Sequence, residues 1–212
     1  MTTSETPYHA AQAAALIQRP VFVGFSTPRT WNPISALIRR MMNSKASHTW
    51  LLVEDPLFEL RLVLEAHETG FRLISLAEFV KNNKIVKLLQ PAHPLAKGLP
   101  EAGGWLGDEY DVRGLIGIFF VTIAKFFRHK IANPFTSSRA LFCSEAVIRV
   151  MKAAGYPGAE KFGDETTSPA DLMTFLESET GVMEITGEQL NLRTHLKKTG
   201  PKKARRAPQI AK

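Results

Sequence analysis

The chain has 212 residues, 44% of them hydrophobic, which suits a single domain with a packed core and excludes an intrinsically disordered chain. Seven of the 27 basic residues lie in 197–212, where there is no acidic residue. Residues 1–196 therefore carry 20 basic and 20 acidic side chains, and the net charge of +7 belongs to the C-terminal stretch. A neutral body gives no compositional argument for nucleic-acid binding.

The cysteine count and the hydropathy of the chain bear on where in the cell the protein is expected to lie. Cys143 is the one cysteine, so no intrachain disulfide can form and a disulfide-stapled scaffold is excluded. Residues 1–20 lack the basic start and the long apolar run of a signal peptide. The longest apolar stretch, 115–124, is well short of the roughly 20 residues that a spanning helix needs. We expect a soluble, cytoplasmic protein.

The first half of the chain reads mainly as short strands. Pro20 and the Ser-Thr-Pro at 26–28 bound a predicted strand over 21–25, and Asn32 with Pro33 has the pattern of a helix start. The helix that follows carries an apolar stripe at i, i+3, i+4 and i+7. Further segments are predicted in chain order: strands at 47–54, 61–66 and 71–75, a helix at 76–82, a strand at 84–90 and a Pro- and Gly-rich loop at 91–111 that has room for one helical piece.

The second half reads as helices. An unusually apolar helix is predicted over 112–130, then a loop at 133–141, and then a helix over 142–155 that Gly155 ends. Ser168 and Pro169 open a last helix. These patterns divide the chain into a lead-in at 1–19, one domain at 20–187 and a basic tail at 188–212.

Cys143 is the first candidate for chemistry. It lies at the predicted start of a helix, where free N–H groups and the helix dipole favour a thiolate, which is the nucleophilic form of cysteine. The same residue shares a helical face with Val147, Val150 and Met151, so a place in the core is an equally open interpretation.

His48 and Glu65 are the candidates for its partners. His48 alternates with Trp50 and Leu52 in a mostly apolar strand, where an imidazole is costly unless its nitrogens are used. Glu65 is the only charged residue of Val63–Ala66, at the end of a predicted strand that can pair with the strand of His48, and its carboxylate could orient an imidazole. A hydrogen-bonded structural histidine and a solvent-facing edge carboxylate remain open, and the alternatives for the third role are His67, Asp55 and Glu54.

No metal or cofactor is expected. The spacing of histidines, acids and the single cysteine matches neither an HExxH nor a CxxC zinc signature.

The order of these residues resembles that of the circularly permuted papain-like amidases of the NlpC-type superfamily, relatives of lecithin retinol acyltransferase. In that family a histidine strand precedes the cysteine helix, as Ser47-His48 precedes Cys143-Ser144-Glu145 here. Glu65 in Leu-Glu-Ala matches the acidic third residue, and the segments at 110–111 and 169–172 match flanking family segments. The resemblance spans residues from about 20 to 175. It implies an α+β fold, with an antiparallel sheet or small barrel packed against helices and the nucleophile at a helix N-terminus.

The resemblance also implies a cysteine hydrolase that cleaves a peptide-like amide, such as a cell-wall peptide, through a thioacyl-enzyme. Its catalytic residues would be Cys143, His48 and Glu65. A lipid or amide acyltransferase of the same fold is the alternative, and it gains weight if the apolar helix 112–130 lines the cleft. A non-catalytic module that retains the fold is a second alternative, since Phe142 replaces the tyrosine that often precedes the family cysteine.

The basic tail has a separate interpretation. Its composition predicts disorder and a weak contact with a polyanion, or a solvated end with no specific role. Six residues would carry such a contact: Lys197, Lys198, Lys202, Lys203, Arg205 and Arg206.

Overall fold

The structure, a computed structural model, describes residues 19–56, 58–67, 70–106, 143–163, 167–186 and 189. Within these ranges the strands are β1 (Val21–Pro28), β2 (His48–Asp55), β3 (Leu60–His67), β4 (Gly70–Ser75), β5 (Asn83–Gln90) and β6 (Met183–Glu184). The helices are α1 (Pro33–Met41), α2 (Leu76–Asn82), α3 (Leu99–Gly103), α4 (Cys143–Ala153) and α5 (Pro169–Ser178), with 3-10 turns at Ala96–Gly98 and Ala159–Lys161.

The strands form one open, six-stranded sheet in the order β4-β3-β2-β1-β5-β6, with every neighbouring pair antiparallel. The predicted α+β class and antiparallel sheet are confirmed, whereas the small barrel is not formed in the described part of the chain. Strand β6 was not predicted, because a two-residue strand is too short to show periodicity. Helix α3 is a helical piece of the kind expected within the loop segment 91–111, although its bounds were not predicted.

Strand β1 is longer than its apolar run. The prediction ended it at Phe25, but it continues to Pro28, and its register with β5 shifts between Phe25 and Ser26. Pro28 is tolerated because it is the last residue of the strand, where a missing N–H costs no interior ladder bond.

Side-chain alternation divides the core between the two faces of the sheet. On one face, α4 and α5 pack against residues that include Val23, Phe25, Leu51 and Leu64. On the other face, Phe79 of α2 closes a smaller cluster. The rest of that cluster consists of Phe22, Trp50, Leu52, Val63, Leu76 and Leu88.

The predicted helix boundaries rest on visible caps. The Asn32 side chain accepts a hydrogen bond from the Ser35 backbone N–H at 3.0 Å, which starts α1. Ser168 and Asp171 form a reciprocal capping box at α5. After α4, Gly155 adopts φ +70°, and Tyr156 N–H donates to the Met151 carbonyl oxygen, an arrangement that needs glycine's freedom in the left-handed region.

Several predicted features lie outside the described residues. They are the lead-in up to residue 18, the apolar helix 112–130, the loop 133–141, Phe142 and the tail from 190. Among the residues that the structure does describe, no helix is long and apolar enough to cross a membrane.

Candidate active site

The three residues singled out by sequence come together at one end of strands β2 and β3. His48 is the first residue of β2, Glu65 lies near the end of β3, and Cys143 is the first residue of α4. The His48 Nε2 atom lies 2.7 Å from Oε2 of Glu65. On its other side the imidazole is hydrogen-bonded to the Cys143 side chain. The imidazole therefore links the thiol to the carboxylate.

The register of the strands explains how His48 and Glu65 meet. Leu51 of β2 pairs with Leu64 of β3, and continuing that register sets Glu65 opposite Trp50. His48 is two residues before Trp50 on the same face, so it is a diagonal neighbour of Glu65 and within reach of a long side chain. The pairing that the sequence predicted between these two strands is confirmed.

Cys143 reaches this pair because β2 and β3 separate at this end. Helix α4 packs on the face of Leu51 and Leu64, which is opposite to the face of Trp50. The ladder between the two strands stops at Leu51, three residues after β2 begins, while β2 remains paired with β1 as far as His48. The backbone N–H of Thr49, a residue beyond the end of that ladder, donates a hydrogen bond to the Cys143 sulfur.

The electrostatics of the site favour a thiolate beside an imidazolium. Burial opposes the charged form of Cys143, but hydrogen bonding to His48, its positive charge and the N–H groups of Thr49 and Ser144 lower the pKa of the thiol. Burial likewise lowers the pKa of His48, but the hydrogen bonds and charges of Cys143 and Glu65 outweigh it and raise that pKa to about 10. The two shifts are opposite in direction, as expected for a coupled ion pair.

Glu65 is held as a carboxylate inside the protein. Its side chain is 1% exposed, and burial raises its pKa, but His48 and Arg72 together bring that pKa below the ordinary value. Arg72 of β4 donates from Nε at 2.9 Å and from Nη2 at 2.6 Å, both to Oε1 of Glu65. The two oxygens of the carboxylate are thus divided between an imidazole and a guanidinium.

The alternatives for the third role lie elsewhere or have other contacts. Glu54 and Asp55 are at the far end of β2 from His48. Glu54 accepts from Arg61 at 3.2 Å, and Asp55 accepts from the Phe58 N–H at 2.9 Å. His67 is the last residue of β3, two residues beyond Glu65 on the same face. The hydrogen bond to His48 is made by Glu65.

Two further features support the site from either side. A buried hydroxyl chain joins Thr27, Ser35 and Ser47, with Ser35 Oγ 2.6 Å from Ser47 Oγ, so α1 is tied to the residue that precedes His48. Ser144, which follows the cysteine, donates from Oγ to the Thr167 carbonyl oxygen at 2.5 Å. These contacts fix the ends of the two elements that carry the imidazole and the thiol.

Arg72 was missed by the sequence analysis, although a signal for it was present. The predicted strands at 61–66 and 71–75 are separated by only four residues, which implies a tight hairpin, and a hairpin that pairs His67 with Gly70 also pairs Glu65 with Arg72, as observed. The hydrogen bonds from the Thr49 and Ser144 backbone have no such signal, because backbone donors leave no trace in the side-chain pattern.

In comparisons with known proteins, no family model and no curated protein matches the chain. Among the described residues, no group of three or more His, Cys, Asp or Glu side chains is arranged to hold a metal ion. The site's chemistry is therefore inferred from its own geometry.

Proposed function

We propose that the chain is a cysteine hydrolase of the permuted papain-like, NlpC-type fold, which cleaves a peptide-like amide bond through a thioacyl-enzyme intermediate. The observation that carries the proposal is the imidazole of His48, which is hydrogen-bonded to the Cys143 thiol on one side and to Glu65 at 2.7 Å on the other. A nucleophile, a base and a group that orients the base are the parts that acyl transfer requires.

The reaction follows from the two nitrogens of the imidazole. Glu65 engages Nε2, so Nδ1 is the atom that exchanges a proton with Cys143. The thiolate attacks the amide carbon, and the imidazolium gives its proton to the departing amine as the C–N bond breaks. Water then loses a proton to His48 and attacks the thioester, which releases the acid and restores the thiol. We expect backbone N–H groups at the start of α4 to stabilise the oxyanion.

The surrounding fold supports this proposal. Cys143 begins an 11-residue helix that packs on an antiparallel sheet, and the histidine strand precedes the cysteine helix in the chain, as the permuted order requires. The thiolate is favoured by a helix N-terminus and by a neighbouring cation, two influences that activate cysteine nucleophiles.

The test separates hydrolysis from transfer. The full chain is given a labelled peptide and, separately, a labelled phosphatidylcholine, and both free acid and acylated amine are followed. Peptide cleavage that is lost in Cys143→Ala, together with a Cys143-bound acyl group seen by mass spectrometry, is the expected result. Cys143-dependent transfer from the lipid without peptide cleavage would instead identify an acyltransferase. Absence of both, with an unreactive thiol, would identify a non-catalytic module.

A further inference from the structure

Without Arg72, the charged groups around His48 would not sum to zero. A thiolate on Cys143, an imidazolium on His48 and a carboxylate on Glu65 sum to one negative charge in a site where Glu65 is 1% exposed. An uncompensated buried charge costs several kcal/mol and is relieved by taking up a proton. The guanidinium of Arg72 makes the row of four groups alternate in sign and sum to zero.

The geometry of Arg72 also directs the carboxylate. Both of its hydrogen bonds go to Oε1, at 2.9 and 2.6 Å, and Oε2 is left for His48. Arginine suits this role because its charge does not titrate in proteins and its planar fork fixes the acceptor's direction. The Arg72 side chain is 33% exposed and the Glu65 side chain is buried, so the cation closes the solvent side of the carboxylate.

We propose that Arg72 is a positioning residue of this site: it neutralises Glu65, aims Oε2 at His48, and thereby keeps the His48–Cys143 pair in its reactive form at mildly acidic pH. This inference rests on the proposed function. Without the guanidinium, Glu65 would take up a proton at higher pH, and His48 would lose the carboxylate that stabilises its charge.

The other charged groups on the elements packed against β3 have partners of their own. On α2, Lys81 contacts Glu78 at 2.5 Å, and both side chains are more than half exposed. On α4, Arg149 contacts Glu145 at 2.7 Å. On β3 itself, His67 lies on the same face as Glu65 and is a second titratable group near it. The Glu65 carboxylate itself is bonded to His48 and Arg72.

The chain supplies a matched control in the pair Arg61–Glu54. It is also a cross-strand arginine–glutamate pair of the same sheet, but it has a contact of 3.2 Å and lies at the other end of β2. Replacing Arg61 by Met removes the same charge without touching the imidazole.

The experiment follows alkylation of Cys143 by iodoacetamide against pH in the full chain, where the single cysteine makes every label informative. We expect the acid limb of the Arg72→Met profile to lie about one pH unit above that of the wild type, or about tenfold slower labelling on that limb. Arg72→Lys, which keeps the charge but loses the fork, should recover part of the shift. Arg61→Met should follow the wild type.

The double variant separates positioning from general destabilisation. In a Glu65→Gln background there is no carboxylate to neutralise, so Arg72→Met should leave the acid limb where Glu65→Gln alone puts it. A further shift there would overturn the inference, as would an Arg72→Met profile that matches the wild type. If Arg72→Met does not fold, Arg72→Lys decides the question. An alkylation profile identical to that of the wild type would contradict the role of the guanidinium fork, and an acid limb shifted to higher pH would support it. An ordinary thiol profile in the wild type would contradict the proposed function itself.

Discussion

The two ends of strands β2 and β3 each carry an arginine–glutamate pair across neighbouring strands, and the two pairs behave differently. Glu54 and Arg61 have side chains 29% and 13% exposed and make a contact of 3.2 Å. Glu65 is 1% exposed and accepts two bonds from Arg72 while a third reaches its other oxygen from His48. The same residue types form a half-buried ion pair at one end and part of the proposed reactive site at the other.

The difference comes from burial and from the neighbouring imidazole. The Glu54 carboxylate, at 29% exposure, is still screened by water, whereas the buried carboxylate of Glu65 must be fully paired to remain charged. Where β2 and β3 stay joined, the pair lies beside a closed ladder. Where the ladder between β2 and β3 ends, the Glu65 carboxylate contacts His48, and in the proposed mechanism it acts on the Cys143 thiol through that imidazole.

The largest effect should come from the reacting groups themselves. Cys143→Ala and His48→Ala should each lower activity by about 10³-fold or more, because these two side chains supply the proposed nucleophile and base. Both variants should remain folded, as judged by circular dichroism, and Glu54→Gln should retain activity. An active Cys143→Ala variant would contradict the proposed mechanism.

Glu65→Gln should reduce activity less than Cys143→Ala or His48→Ala does. It should lower the free energy of unfolding more than Glu54→Gln does. Breaking a buried, hydrogen-bonded charge set costs about 3 kcal/mol, whereas Glu54→Gln should cost below about 1 kcal/mol of unfolding free energy. Urea denaturation of the two variants measures both values. Equal losses in the free energy of unfolding would mean that the two glutamates contribute equally to stability.

The loss of stability at acid pH is a further test of Glu65, and the direction of the effect follows from its pKa. The folded-state pKa of Glu65 is depressed, because His48 and Arg72 outweigh burial. Its contribution is therefore present above the unfolded carboxyl pKa and is lost as pH falls through the folded value. Thermal unfolding between about pH 6 and about pH 3 should show a shallower acid limb in Glu65→Gln than in the wild type.

Gly24 offers a smaller, packing-based test of the site end of the sheet. A Cβ at Gly24 would lie 2.4 Å from atoms of the Trp50 ring, which is fully buried on the face of His48. Gly24→Ala should cost about 1–3 kcal/mol because a rigid ring must move. Gly103→Ala is the control, since nothing lies within 4 Å of its added Cβ among the described residues. A Gly24→Ala variant as stable as Gly103→Ala would show that the Trp50 ring can move at little cost in free energy.

Much of this architecture was readable from sequence, and the reasons differ by element. The caps at Asn32 and Ser168 were predicted because those side chains bond their own helix within three residues. Strand boundaries were predicted to within a few residues because apolar alternation marks them. The approach of Cys143 to His48 was implied by the resemblance but could not be deduced from side-chain alternation, which assigns His48 to the face opposite α4. The contact is explained by the end of the β2–β3 ladder at Leu51, before His48 is reached.

The most direct measurement of the central claim is the ultraviolet titration of the thiolate, taken as wild type minus Cys143→Ala. Because the Cys143 pKa is lowered and the His48 pKa is raised to about 10, the thiolate should form at lower pH than in an ordinary cysteine and should coexist with imidazolium until about pH 10. In His48→Ala the titration should return toward the ordinary cysteine pKa of about 8.5. A wild-type thiol that titrates near that value and is indifferent to His48→Ala would contradict the account.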